Sequence, residues 1–246
     1  MGARLINPDW LKYASKASCF WAQITPYDVN LDPTNNVDLK CSGDIDRYCQ
    51  LLDFDLEIDL QYLANFKNNF QPKRLDQNDE IELIINTLPD DGSLFVSNSQ
   101  LIRSLNQLEF NRINKAYLIG TNRGASGIDG ILSTAAGWHY NQTTHLTVLI
   151  GDLACLYDLT SLQLLKKLNS TCRIIVFNNN GGKIFEKLPI GSSSYYDPYF
   201  RAPHGLTFEH ASQMFGFDYQ QLNNYYDLKK SLESRKISNQ LVEYVS

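Results

Sequence analysis

Two stretches, "LTVLIGD" (146–152) and "RIIVFNNNGG" (173–182), share one design: an unbroken apolar run that stops at small or polar residues. Four to six consecutive apolar residues are what a strand buried on both faces requires, and such strands belong to parallel sheets covered by helices. Between the two lies "LTSLQLLKKLN" (159–169), whose apolar residues recur at helical spacing. Strand, helix, strand over this length is a βαβ unit, and its right-handed crossover brings both strand ends to the same edge of the sheet. Asp152 and Asn179, 27 residues apart, are thereby predicted to approach each other.

The pattern extends in both directions. Upstream, "DEIELIINTL" (79–88) reads as a helix with acidic residues in its first turn, then "SLFVSN" (93–98) as a strand and "SQLIRSLNQLEF" (99–110) as a helix. "AYLIG" (116–120) is a strand and "SGIDGILSTAAGW" (126–138) a small-residue helix. Downstream, helices are predicted near "FEHASQMFG" (208–216) and "YDLKKSLES" (226–234), then a last strand, "LVEYV" (241–245). The fold class predicted is α/β: a parallel sheet with helices on both faces. The first part differs. "CFWAQI" (19–24) reads as a strand and "SGDIDRYCQLLDF" (42–54) as a helix, too little to close a core. Residues 1–54 therefore read as the tail of another α/β domain, 55–77 as a connection, and 78–246 as the domain proper.

Composition narrows the class. With 22 basic and 27 acidic residues the net charge is −5, and no basic run could neutralise a row of phosphates, which argues against a nucleic-acid partner. Five scattered cysteines without a CxxC pair fit reduced thiols in the cytoplasm, with Cys155 and Cys172 as small buried hydrophobes. The N-terminal stretch has no apolar h-region, and no run approaches the roughly 20 apolar residues of a membrane span. His139, His145, His204 and His210 show no metal-ligand spacing.

The strand ends carry the chemistry. A carboxylate (Asp152), an amide oxygen (Asn179) and a carbonyl from a glycine-bearing loop form a hard oxygen set suited to Mg²⁺, which completes its octahedron with phosphate oxygens and water. Glycines let backbone approach a bulky anion closely. A helix starting near Tyr157 would aim its amides at a phosphate. A plain turn-and-cap role for the same polar residues stays open at this point.

A "GD" followed 25 to 30 residues later by "NN" resembles the signature of thiamine-diphosphate enzymes. The longer strings "NRGASGIDGILSTAAG" (122–137), "GDLACLYDLTSLQLL" (151–165) and "NNNGGKIFEKLP" (178–189) resemble the MenD family of menaquinone-pathway synthases, with "FEHASQMF" and "LDP" (31–33) fitting more weakly. The resemblance implies thiamine diphosphate with Mg²⁺ (or Mn²⁺) as cofactors, the metal held by Asp152, Asn179 and the Gly181 carbonyl. Gly151 and Leu153 flank that site, Leu153 standing where the general signature has Gly. Ile128 would wedge beneath the cofactor. Ser99, Arg103 and Arg123 match substrate-contacting positions, and Ile184, Phe185 and Leu188 an apolar wall. Alternatives for these residues are an N-cap, surface arginines and ordinary core.

The resemblance further implies 2-oxoglutarate and isochorismate as substrates and decarboxylation followed by transfer of a succinyl unit. The family's catalytic glutamate belongs to an N-terminal domain that this chain does not resemble, so no catalytic residue is assigned here. Activity would need that N-terminal half or a second subunit, in a homo-oligomer, and the chain alone would be inactive. Competing expectations are a non-catalytic, cofactor-binding remnant or a carboligase of the acetolactate synthase type.

Overall fold

A computed structural model describes residues 12–13, 15–18, 20–26, 36–51, 61, 79–106, 108, 118–123, 126–234 and 238–245. The chain divides into two compact units, Met1–Arg74 and Leu75–Ser246. In the first, strands β1 (Ala22–Thr25) and β2 (Leu39–Ser42) pair in parallel, and helix α1 (Ile45–Leu51) follows. β2 was not predicted, because "LKCS" carries neither an apolar run nor a buried face. The segments 31–33 and nearly all of 55–77 lie outside the described residues.

The second unit is a sheet of six strands among the described residues, ordered β4-β3-β5-β6-β8-β7 with every pairing parallel. The strands are β3 (Ser93–Val96), β4 (Leu118–Thr121), β5 (Leu146–Gly151), β6 (Cys172–Asn178), β7 (Asp218–Leu222) and β8 (Gln240–Val245). β3 is buried throughout and β5 and β6 nearly so, the outcome that continuous apolar runs demand.

Helices α2 (Asp79–Thr87), α3 (Gln100–Asn106), α4 (Ile131–His139), α5 (Asp152–Tyr157), α6 (Leu162–Lys166), α7 (Glu209–Phe215) and α8 (Tyr225–Glu233) surround the sheet. They touch in two groups: α4 with α6 and α6 with α7, and α2 with α8 and with α3. Ile131, Leu132, Ala135 and Ala136 give α4 its buried face, and Leu162 and Leu165 do so for α6. They join Val148, Ile150, Ile174 and Val176 in one apolar cluster. Each such Leu or Ile stabilises the fold by roughly 1.5–3 kcal/mol. Cys155 and Cys172 are fully buried in that cluster as expected, and burial pushes both thiols up, so neither is a nucleophile.

Two local expectations fail, and one strand goes unread. The helix after β5 starts at Asp152, and Tyr157 is its last residue, because the chain turns at Gly151 straight from strand to helix. α4 starts at Ile131 behind Gly130, which is in the left-handed conformation (φ 64°), so Ile128 precedes the helix and begins no helical face. β7 went unpredicted: it is an edge strand in which only Leu222 is buried, leaving no alternation to read. Among the described residues no helix is long and apolar enough to cross a membrane.

Candidate cofactor site

The register β5–β6 pairs Gly151 with Phe177, so Asp152 and the "NNNGG" loop leave adjacent strands side by side. β3 ends at the same edge, where Ser97 N–H donates to Leu149 O (2.9 Å). A cavity of about 720 Å³ opens there, at the carboxyl ends of the strands, the place where open α/β sheets bind ligands. Ser99, Arg103, Arg123, Ile128, Gly151, Asp152, Leu153, Asn179, Gly181, Ile184 and Phe185 all line it. Leu188 does not: it ends a short 3-10 turn, Lys183–Lys187, and is half exposed.

Asp152 is buried and its carboxylate is held by three donors. Oδ1 accepts Leu153 N–H (2.7 Å), while Oδ2 accepts Gly181 N–H (2.8 Å) and a proton from His204 Nε2 (3.2 Å). One amide in the first turn of α5, that of Leu153, is therefore turned onto Asp152 itself, and the helix end that borders the cavity is at Asp152, not near Tyr157 as expected.

The three asparagines divide their work. Asn178 is structural: its Nδ2 donates to Leu206 O (2.9 Å) and to Glu243 Oε1 (2.6 Å). Asn180, at φ 60°, accepts the backbone N–H groups of His204 (3.0 Å) and Gly205 (2.8 Å) on its Oδ1. Asn179 is different. Its Oδ1 is buried without a hydrogen-bond partner, and a buried acceptor left unpaired costs roughly 1–3 kcal/mol. It borders the cavity, and so does Asn98, whose Oδ1 is also unpartnered while its Nδ2 donates to Gly127 O (2.7 Å).

The glycines serve two purposes that composition could not separate. A Cβ on Gly181 (φ 121°) would lie 2.1 Å from Arg201 O, and one on Gly182 2.5 Å from Phe200 O. Their freedom admits the chain's own segment 200–202, and Gly182 N–H donates to Arg201 O (2.6 Å). Gly151 is the reverse: a Cβ there would meet nothing within 4 Å, and it would stand at the cavity.

Arg103 is exposed and its guanidinium bonds back to Ser99 O, one turn away. Ser99 itself is held at φ 71°, a sparsely populated conformation of the kind that collects at binding sites. Phe185 packs edge-on against Phe200 (centroids 5.7 Å apart, 71°). Sequence reasoning missed Asn98, His204 and the pair Tyr244–Glu80 beside the cavity. Tyr244 OH donates to Glu80 Oε1 (2.9 Å), and burial together with that bond pushes its phenol up to about 12. Asn98 was legible within "SNS"; the other three carry no signal outside the fold.

Among the described residues no three of His, Cys, Asp and Glu converge as a metal cluster. What the cavity offers a cation beside the "NNNGG" loop is the Asp152 carboxylate, the unpaired Asn179 oxygen and the Gly181 carbonyl, which among the described residues accepts Lys183 N–H (3.0 Å). That is a hard, incomplete oxygen set, and it fits Mg²⁺ carrying phosphate oxygens and water.

No family profile matches the chain. It is 43% identical over 141 residues to the 2-succinyl-5-enolpyruvyl-6-hydroxy-3-cyclohexene-1-carboxylate synthase of Proteus mirabilis (strain HI4320), covering 57% of the chain and 25% of the relative. The synthase of the same name from Psychromonas ingrahamii (strain DSM 17664 / CCUG 51855 / 37) is 34% identical over 251 positions, covering 95% of the chain and 42% of that protein. The chain is homologous to part of this synthase. It spans between a quarter and about two-fifths of the length of these relatives. Among solved structures, benzoylformate decarboxylase from Polynucleobacter necessarius shares the fold, with a TM-score of 0.56 at 16% identity over 70% of the chain and 33% of that protein.

Proposed function

We propose that the chain is the cofactor-binding part of a thiamine-diphosphate-dependent synthase of menaquinone biosynthesis. The whole protein would decarboxylate 2-oxoglutarate and add the succinyl unit to isochorismate, in the cytoplasm. One observation carries the reading: Asn179, whose buried amide oxygen is unpaired, borders the same cavity as Asp152 and Gly181, at the strand ends.

Asp152, Asn179 and the Gly181 carbonyl would hold Mg²⁺ or Mn²⁺ on the diphosphate, with Gly151 and Leu153 against the cofactor. When bound, thiamine diphosphate supplies the nucleophilic carbon that accepts a 2-oxo acid and stabilises the charge left by decarboxylation. Ile128 stands on the cavity wall as a prop, and Ile184 and Phe185 exclude water from an apolar side. Arg103 and Arg123 receive substrate carboxylates, a geometry that guanidinium groups meet in bidentate fashion. For Arg103 a carboxylate competes with Ser99 O, and Ser99 completes that contact. Leu188, outside the cavity lining, takes no role here.

Residues 1–54 as a remnant of another domain, 55–77 as a connection and 78–246 as the diphosphate domain belong to the same reading. So do an N-terminal half, in the same or a second polypeptide, that supplies the proton-relay glutamate, and assembly as a homo-oligomer. The test is calorimetric: thiamine diphosphate should bind the chain only with Mg²⁺, and Asp152→Ala should abolish that binding. Unchanged affinity in the variant removes the metal assignment. Acetolactate formed from pyruvate by the whole enzyme, in place of product from 2-oxoglutarate and isochorismate, removes the substrate assignment.

A further inference from the structure

His204 belongs to no motif and has no metal-ligand spacing, yet its side chain is nine-tenths buried against Asp152. Leu206 N–H donates to Nδ1 (3.0 Å), so Nδ1 carries the lone pair and the proton of the neutral ring is on Nε2. Nε2–H therefore donates to Asp152 Oδ2, where Gly181 N–H is already a donor. The ring is brought there by a strap, residues 201–206, zipped to the "NNNGG" loop. Arg201 O accepts Gly182 N–H, Asn180 Oδ1 accepts two strap amides, and Leu206 O accepts Asn178 Nδ2. Ala202 (φ 48°) and Gly205 (φ 62°) give the strap its two left-handed bends.

We propose that His204 is a positioning residue for the metal site: with Gly181 N–H it saturates Oδ2 of Asp152, so that a cation is taken by Oδ1 alone, with Asn179 Oδ1. The role rests on the metal reading above. Oδ1 has one donor, Leu153 N–H, and one lone pair remaining, whereas both lone pairs of Oδ2 are engaged. Monodentate binding is what the octahedron of Mg²⁺ accommodates beside phosphate oxygens. Donors that orient a ligating carboxylate change metal affinity by about 10- to 100-fold when removed.

The test uses the 246-residue chain with Mn²⁺ and thiamine diphosphate, free Mn²⁺ being read by electron paramagnetic resonance. His204→Leu should weaken Mn²⁺ uptake about 10- to 100-fold, and His204→Gln, which keeps a donor near Nε2, should restore most of it. In the metal-free chain, ¹⁵N shifts of the His204 ring should report a protonated Nε2 and a bare Nδ1. A proton on Nδ1, or a leucine variant that binds within twofold of the parent, overturns the proposal. A leucine loss that glutamine does not recover also overturns it, since the loss then comes from the strap and not the donor. Should the parent take up no Mn²⁺ while its ring signals are as stated, the metal reading itself is what fails, and this role falls with it.

Discussion

Glu243 lies at the centre of β8, between Val176 of β6 and Gln221 of β7, and none of it reaches solvent. Its Oε1 accepts Asn178 Nδ2 (2.6 Å), and its Oε2 accepts Phe208 N–H (2.9 Å) and Tyr219 OH (2.6 Å). One carboxyl group thus ties the root of the "NNNGG" loop to the start of α7 and to an edge strand. Replacing it by leucine keeps the volume but strands its donors. Asn178 retains Leu206 O, whereas Phe208 N–H and Tyr219 OH lose the partners described here. At about 1–3 kcal/mol for each buried donor left unpaired, Glu243→Leu should cost about 4 kcal/mol, a large part of a domain's 5–15 kcal/mol. Glu243→Gln can turn its oxygen to Phe208 and Tyr219 and sets only its NH₂ against Asn178, costing about 1–2 kcal/mol. Urea unfolding followed by far-ultraviolet circular dichroism measures both. With a slope of about 2 kcal/mol per molar, the leucine midpoint should fall by about 2 M and the glutamine midpoint by under 1 M. A leucine variant within about 1 kcal/mol of the parent would refute the reasoning, because stranded donors would then carry no penalty.

Glycine substitutions should separate packing from binding. Gly181→Ala forces a Cβ against Arg201 O and should cost more than about 2 kcal/mol in the same unfolding assay, whereas Gly151→Ala, facing open space at φ −79°, should leave stability within about 0.5 kcal/mol. The Gly151 variant should instead lose thiamine diphosphate affinity in a calorimetric titration. In the whole enzyme, Arg103→Ala and Arg123→Ala should raise KM for the acid substrates at least tenfold with a smaller effect on kcat, measured by steady-state kinetics; unaltered kinetics would return both to the surface. His145 is pushed down from 6.5 to about 4, first by burial and then by Arg173 and His139. The folded state then stays neutral while the unfolded state takes up a proton, so stability falls as pH drops from about 6.5 to about 4 and is flat below. The loss is at most about 3 kcal/mol, read as a falling urea midpoint, and His145→Gln should remove that part of the slope.

The fold was legible wherever burial was two-sided. β3, β5 and β6 are runs such as "TVLI" and "IIVF" because both faces of each strand are buried, and that requirement is written locally, residue by residue. The edge strand β7 buries one residue and left no such record. The strand-end motifs likewise announced a polar edge, and nearly all the residues singled out there border one cavity.

What the chain alone could not state is which polar atom ends without a partner. Asn178, Asn179 and Asn180 are chemically identical, and only their places relative to Glu243, the strap and the cavity make one a brace, one a free oxygen and one an acceptor for backbone. His204 stands 52 residues from Asp152 and Glu243 65 from Asn178. Contacts at that separation exist only because the sheet order sets β8 beside β6 and folds the strap back over the loop. Apolar periodicity is a local consequence of burial, whereas hydrogen-bond partnership is a property of distances that only the closed fold creates.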